Sequence, residues 1–294
     1  MALVAQSLRL PMMPMRLDDV LLPGETSRLL LKEPAHLALL DAVEEKHDGQ
    51  FGQLLQKNGG QLCGSVAPIL KIEAHAPPRL LFNDGLWVDV HCVGRVSIDD
   101  MVMGHDLPYD LALVTELVDE LEDGPDVGMD SWMELSAKAS HAAGSVRREH
   151  EACHTLSAKI KAAKAEEPGS VSMPCAQCPR ASSCDMIDEF HFSLPQLVGA
   201  RREALLREPS AATGPSGVPS GANGPGAQLW GAANEAAAEC QILSFAACSH
   251  LSAKTRRRAL RTRDTTERLT LASRELHERQ LQMCAELALR AAFP

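Results

Sequence analysis

The sequence predicts an α+β chain, with a strand-rich front part followed by long helices. Three observations carry that expectation. Val88, Val90 and Cys92 alternate with Asp89, His91 and Val93, the period of a half-buried strand. Trp132, Leu135, Ala139, Ala142, Val146, Cys153, Leu156, Ile160 and Ala163 recur at helical spacing, an apolar stripe along one long helix. Between this helix and a further helical stretch lies a Gly, Pro, Ser and Ala tract from Ala211 to Gly226, which has no periodicity and reads as a disordered linker.

The elements follow in order. Val20 to Leu22 is read as a short apolar strand, stopped by the turn dipeptide Pro23-Gly24. Leu29 to Leu31 is a second strand. Pro34 suits the first turn of a helix, because its missing N–H has no helical partner there. Leu37, Leu40 and Val43 continue that helix, and Gly49 can close it in a left-handed conformation. Cys63-Gly64-Ser65-Val66-Ala67-Pro68-Ile69 and the alternating run from Trp87 to Ile98 supply further strands. Leu107 to Val114 is read as the last strand of the front domain.

These residues, in this order, resemble the LON N-terminal domain family. Its pattern opens on Pro-x-x-Pro-Leu, then Val-Leu-x-Pro-Gly, then Phe-Glu-Pro-Arg-Tyr and a helix. Phe-Gly, Gly-x-Val-Ala-x-Ile and a late strand with Gly and Arg come after it. The chain matches at Pro11, Pro14, Val20, Leu21, Pro23, Gly24, Glu33, Pro34, Phe51, Gly52, Gly64, Val66, Ala67, Ile69, Gly94, Arg95 and Ile98. It departs at Lys32, Ala35 and His36, where the family usually carries Phe, Arg and Tyr. The resemblance implies a PUA-like β-barrel followed by an α-helical bundle.

Lys plus Arg number 29 and Asp plus Glu 39, a formal net charge of −10. Such a chain is repelled by phosphate backbones, so nucleic acid and anionic membranes are not expected partners. No stretch approaches the ~20 apolar residues of a membrane span. Met1 to Leu10 lacks the apolar core of a secretory signal. The nine cysteines are read as reduced thiols.

The acidic run Glu116, Asp119, Glu120, Glu122, Asp123 and Asp126 reads as a solvated loop. Cys175 and Cys178 have the spacing of a zinc-gripping pair, which Cys184 and His191 could complete. A second tight pair is missing, and the expectation is a loop without metal. Gly214-Pro215-Ser216-Gly217 superficially matches the residues around the Lon peptidase nucleophile. It lacks the preceding Pro-Lys-Asp, the catalytic Lys and a rigid setting, so the match is rejected. Lys254 to Arg263 reads as an exposed basic helix face. Asp264-Thr265-Thr266-Glu267 has the form of a capping box. Leu269, Ala272, Leu276, Met283 and Leu287 form the inner stripe of the final helix, expected to pack on the helix that starts near Trp132. Ser244-Phe245 and Asp264-Thr265-Thr266-Glu267-Arg268-Leu269 also resemble the helical part of the family. The domains expected are 8–128 (LON N-terminal), 129–208 (long helix, Cys-containing loop and short helix), 209–227 (linker) and 228–294 (helical segment).

No Gly-x-x-x-x-Gly-Lys-Ser/Thr loop occurs, so ATP binding is not expected; with no peptidase domain and no catalytic constellation, no catalytic residue and no cofactor are expected either. By resemblance, the chain is a non-catalytic module that binds protein or unfolded polypeptide segments, an adaptor or scaffold in protein quality control. The order of helices is similar to stand-alone plant and algal members. That implies a soluble protein of the plastid, if a leader precedes this sequence, or of the cytoplasm. The alternatives are an RNA-associated PUA-like protein and a substrate receptor of a ubiquitin ligase. Net charge and the lack of aromatic-basic interleaving oppose the first. Scattered Trp87, Trp132 and Trp230, and Cys spacing that cannot make a RING, oppose the second.

Overall fold

The computed structural model describes residues 8–56, 61, 62, 64–75, 85–102, 107–119, 129–166, 198, 199 and 225–292. The architecture is mixed α+β, a six-stranded sheet plus helices, in two compact units. The first unit holds β1 (Leu8–Arg16), β2 (Thr26–Leu31), α1 (Pro34–Lys46), β3 (Gln50–Gln56), β4 (Val66–His75), β5 (Leu86–Val102) and β6 (Asp110–Glu116). It also takes α4 (Ala253–Arg261), a short helix from much later in the chain. The second unit holds α2 (Met129–Glu166), α3 (Pro225–Cys248) and α5 (Thr265–Ala292).

β5 organises the sheet. Its first part pairs with β2, its middle with β4 and its last part with β6, all antiparallel. β4 pairs with β3, β3 runs parallel to β1, and β1 pairs back to β6. The pairings therefore return on themselves, β5-β4-β3-β1-β6-β5, with β2 appended as an edge. Register shifts at Ile69/Leu70, Ile72/Ala74 and Ile98/Asp100 interrupt the ladders of β5; such irregularities bend and twist a strand. One apolar cluster draws on every strand of this circuit: Leu10, Met12, Leu54, Ala67, Val96, Ala112 and Val114. A second lies under α1 and β2 and includes Leu39, Leu40, Val43, Phe51, Leu70, Val88 and Val90. Each fully buried Leu or Phe contributes about 1.5–3 kcal/mol, and aromatic residues are scarce, so aliphatic burial does most of this work.

Local sequence explains the ends of α1. Pro34 opens it, and the carbonyl of Glu33 accepts from the N–H groups of His36 and Leu37. Gly49 closes it at φ 72°, donating to the carbonyl of Val43. Val20 to Leu22 is not a strand, contrary to the sequence reading. Leu21 N–H donates to the Gln53 amide oxygen and Leu22 N–H to the Glu25 carboxylate. Side chains thus take donors that a strand would give to a ladder, while Val20, Leu21 and Leu22 remain buried. His91 was placed on the polar face of β5, yet it is buried, with Nδ1 4.0 Å from the Glu73 carboxylate.

In the second unit α2 packs against α5 and α3, as the two stripes require. The buried seam of α2 is Trp132, Ser136, Ala139, Ala143, Val146, His150, Cys153, Ser157 and Ile160. That seam is rotated from the apolar series in the sequence: Leu135, Ala142 and Leu156 are half-buried at its flank. Small Ser and Ala at the contact positions let the helices approach closely. Leu269, Ala272, Leu276 and Met283 line α5 toward the core. No helix among the described residues is long and apolar enough to cross a membrane.

Candidate functional site

The residues that match the LON pattern fall in the first unit, and most are held by local physics. Pro14 lies in β1 opposite Leu54. Pro23 is buried and leads into Gly24 at φ 82°, a conformation costly for any residue with a Cβ. Gly24 N–H donates to the Cys92 carbonyl and Cys92 N–H to the Glu25 carbonyl, which stitches this turn to β5. Glu33 and Pro34 begin α1, with the Glu33 side chain exposed. Phe51 fills the core under α1. Gly52 sits opposite Met12, and a Cβ there would collide with the Met12 thioether. Gly64, at φ 100°, leaves room for the Arg261 guanidinium. Val66 is half-buried opposite Ser97, Ala67 is fully buried opposite Val96, and Gly94 faces Ile69.

Arg95 joins three parts of the unit. It is 4% exposed and ion-pairs with Asp119, itself 1% exposed. Its other guanidinium N–H groups donate to the carbonyls of Leu260 at 2.6 Å and Thr262 at 2.7 Å. It therefore caps the C-terminal end of α4, where carbonyls lack helical partners. Asp119 was read as part of a solvated acidic loop; its burial against Arg95 corrects that. The basic stretch from Lys254 to Arg263 is corrected in part: Lys254, Arg258, Arg261 and Arg263 are exposed, as read, but Arg256 and Arg257 are half-buried. Arg256 donates to the Val20 carbonyl and the Glu25 carboxylate, Arg257 lies 3.9 Å from Asp18, and Arg263 donates to the Val118 carbonyl. These cations face the strand-bearing body of their own unit.

Two surface features stand out among the described residues of this unit. A shallow depression of about 560 Å³ lies between α1 and the start of β6, lined by Ala38, Asp41, Ala42, Glu45, Pro108 and Tyr109. The other is β2, which pairs only with β5 among the described residues. On its outer side Arg28 donates to Asp89 in a bidentate pair at 2.6 and 2.9 Å. The Arg28 guanidinium holds the Asp89 carboxyl below the usual carboxylate range, and Asp89 raises Arg28 in turn. Leu30 stands opposite Trp87, a residue 42% exposed.

In the second unit Arg268 gathers the residues that resembled the family's helical part. Its Nε donates to Ser244 Oγ and its Nη2 to Thr265 Oγ1, each at 2.9 Å, and the guanidinium lies 4.2 Å from the Phe245 ring centroid. Sequence reasoning did not find Gln53, His150 or Asp119 as buried groups. Gln53 bridges the Leu21 N–H and the Asp19 carbonyl. Cys175, Cys178, Cys184 and His191 lie outside the described residues, as do 209–224 of the expected linker; Pro225 and Gly226 begin α3. Among the described residues no group of three or more His, Cys, Asp or Glu could hold a metal ion.

No family model matches the chain. No curated protein matches it. Among solved structures, it is similar to a Lon N-terminal domain protein from Xanthomonas campestris, at 20% identity and a TM-score of 0.33, covering 44% of this chain and 70% of that one. It is also similar to the N-terminal domain of a Mycobacterium avium complex Lon protease, at 16% identity and a TM-score of 0.34, covering 83% of this chain and 100% of that one. Both are Lon N-terminal domain structures, the family that the ordered residues from Pro11 to Ile98 resemble.

Proposed function

We propose that this chain is a non-catalytic protein-binding module that recognises polypeptide segments and acts as an adaptor or scaffold. The observation that carries the reading is the ordered match from Pro11 to Ile98, together with the duties that several matched residues perform. Gly24 makes a left-handed turn, Gly52 admits Met12, Gly64 admits Arg261, and Arg95 holds the end of α4. Residues that answer to such distinct steric needs are those a shared fold would retain. On this reading the closed circuit of five strands is a PUA-like barrel, with β2 as an added edge. Fold does not identify the ligand, so the test is direct. Purified chain should bind reduced, carboxymethylated lactalbumin without ATP, and should not degrade casein with or without ATP. Turnover that persists through further purification would overturn the non-catalytic reading. Failure to bind the carboxymethylated lactalbumin would overturn polypeptide recognition.

A further inference from the structure

We propose that the outer edge of β2 takes up an extended polypeptide segment as an added β-strand, with Leu30 and Trp87 receiving its apolar side chains. The inference rests on the polypeptide-binding reading and names the surface that would do the binding.

The main chain supplies the first argument. β2 pairs with β5 in a register that sets Thr26 against His91 and Leu30 against Trp87. Cys92 N–H donates to the Glu25 carbonyl at 2.8 Å, which fixes the parity of the ladder. Main-chain groups of Ser27, Leu29 and Leu31 are therefore directed to β5, and those of Thr26, Arg28 and Leu30 to the opposite side. Among the described residues no strand pairs with that side. A row of alternating donors and acceptors is complementary to one kind of ligand, an extended peptide main chain.

Side chains supply the second. Sheet edges are commonly guarded by a charge standing over them, and Arg28 sits at the centre of β2. Here, however, the Asp89 carboxylate draws the Arg28 guanidinium back over its own sheet. Leu29 and Leu31 face the core, so Leu30 is on the outer face beside the exposed Trp87. An added strand would place alternate side chains on that apolar pair. The formal charge of −10 favours a neutral or basic segment over an acidic one. The occupant is therefore an extended segment of another protein, apolar at alternate positions and without net negative charge.

The test uses the full chain and a fluorescein-labelled peptide, acetyl-Lys-Val-Thr-Val-Thr-Val-Lys-amide. Two N-methylated forms of it are compared, one methylated at the valines and one at the threonines. Strand addition uses amides of one parity only, so one form should bind at least ~10-fold more weakly than the parent and the other about as well. Hydrogen exchange at Thr26, Arg28 and Leu30 should slow on peptide binding, while Ser27 and Leu29 change little. Arg28→Pro, which removes an outward N–H without breaking the β5 ladder, should weaken binding by a similar factor. If that variant does not fold, the two methylated peptides still decide. Equal binding of both methylated forms, or peptide binding without protection at β2, would overturn strand addition and leave polypeptide recognition standing. No binding of this peptide alongside retained binding of carboxymethylated lactalbumin would have the same meaning. Loss of both would remove the reading on which the proposal rests. If these amides are already protected without peptide, in a dimer that Arg28→Pro dissociates, the occupant is a second copy and the proposal is wrong.

Discussion

A guanidinium taken out of water must place its N–H groups on acceptors, and Arg95 does so with two carbonyls and one carboxylate. Removing one partner leaves a charge buried without compensation, which costs more than the pair contributes. Asp119→Ala is therefore expected to destabilise the first unit by about 3–5 kcal/mol in urea unfolding. The double change Arg95→Met with Asp119→Leu should recover a large part of that loss, because apolar atoms need no partner. A double variant no better than Asp119→Ala would show that the carbonyl contacts to α4 matter more than the buried charge. Steric fit is just as specific at Gly52. Gly52→Ala forces a Cβ into the Met12 thioether and should cost about 1–3 kcal/mol. Met12→Ala in that background should relieve the clash while leaving its own cavity.

At the scale of elements, α2 shows how far apolar spacing alone can be read. It located the helix and its partner, because Trp132, Ala139, Val146, Cys153 and Ile160 are both apolar and buried. It missed the other half of the seam, where Ser136, His150 and Ser157 are buried. Those positions show a polar residue in the sequence, and nothing local says that a polar side chain is inside. His150 makes this consequential. Its side chain is 1% exposed, and burial, aided by His154 and opposed by Glu151, pushes its pKa down to about 4. Unfolded, the same imidazole titrates near 6.5. Between those values the unfolded chain binds a proton that the folded one refuses, so stability is full above about pH 6.5 and falls as pH drops toward 4. The loss should approach about 3 kcal/mol by pH 4. Denaturant unfolding of the helical unit at a series of pH values should show it, and His150→Leu should flatten that slope. Cys153 lies on the same seam: burial raises its thiol to about 11, and Sγ donates to the Leu276 carbonyl, so it packs rather than reacts. The rotated seam also ranks two leucines. Leu276→Ala should cost about 2–5 kcal/mol and Leu156→Ala clearly less, since Leu276 is fully buried and Leu156 sits at the flank.

Across the whole molecule, what was legible is what neighbours in sequence decide. Pro34 and Gly49 bound α1, and Val88, Val90 and Cys92 point inward. The place of α4 was not legible. Arg95 and Leu260 are 165 residues apart, and a basic helix read alone is indistinguishable from a solvated one. In the structure α4 belongs to the strand-bearing unit, where Ala259 and Leu260 are buried and its carbonyls are met by Arg95. A chain ending at Val127 would therefore keep all six strands and α1 yet lack this helix. It should leave the buried Arg95 short of two acceptors and uncover the apolar surface that Ala259 and Leu260 meet. Such a fragment should melt well below the strand-bearing unit of the intact protein, followed by circular dichroism. A synthetic peptide spanning residues 250–266 should raise its melting temperature, with a dependence on peptide concentration set by binding to the folded form alone. The same peptide with Leu260→Asp should fail to do so. A fragment that melts like the intact unit and ignores the peptide would show that α4 merely rests on the first unit and adds nothing to its stability.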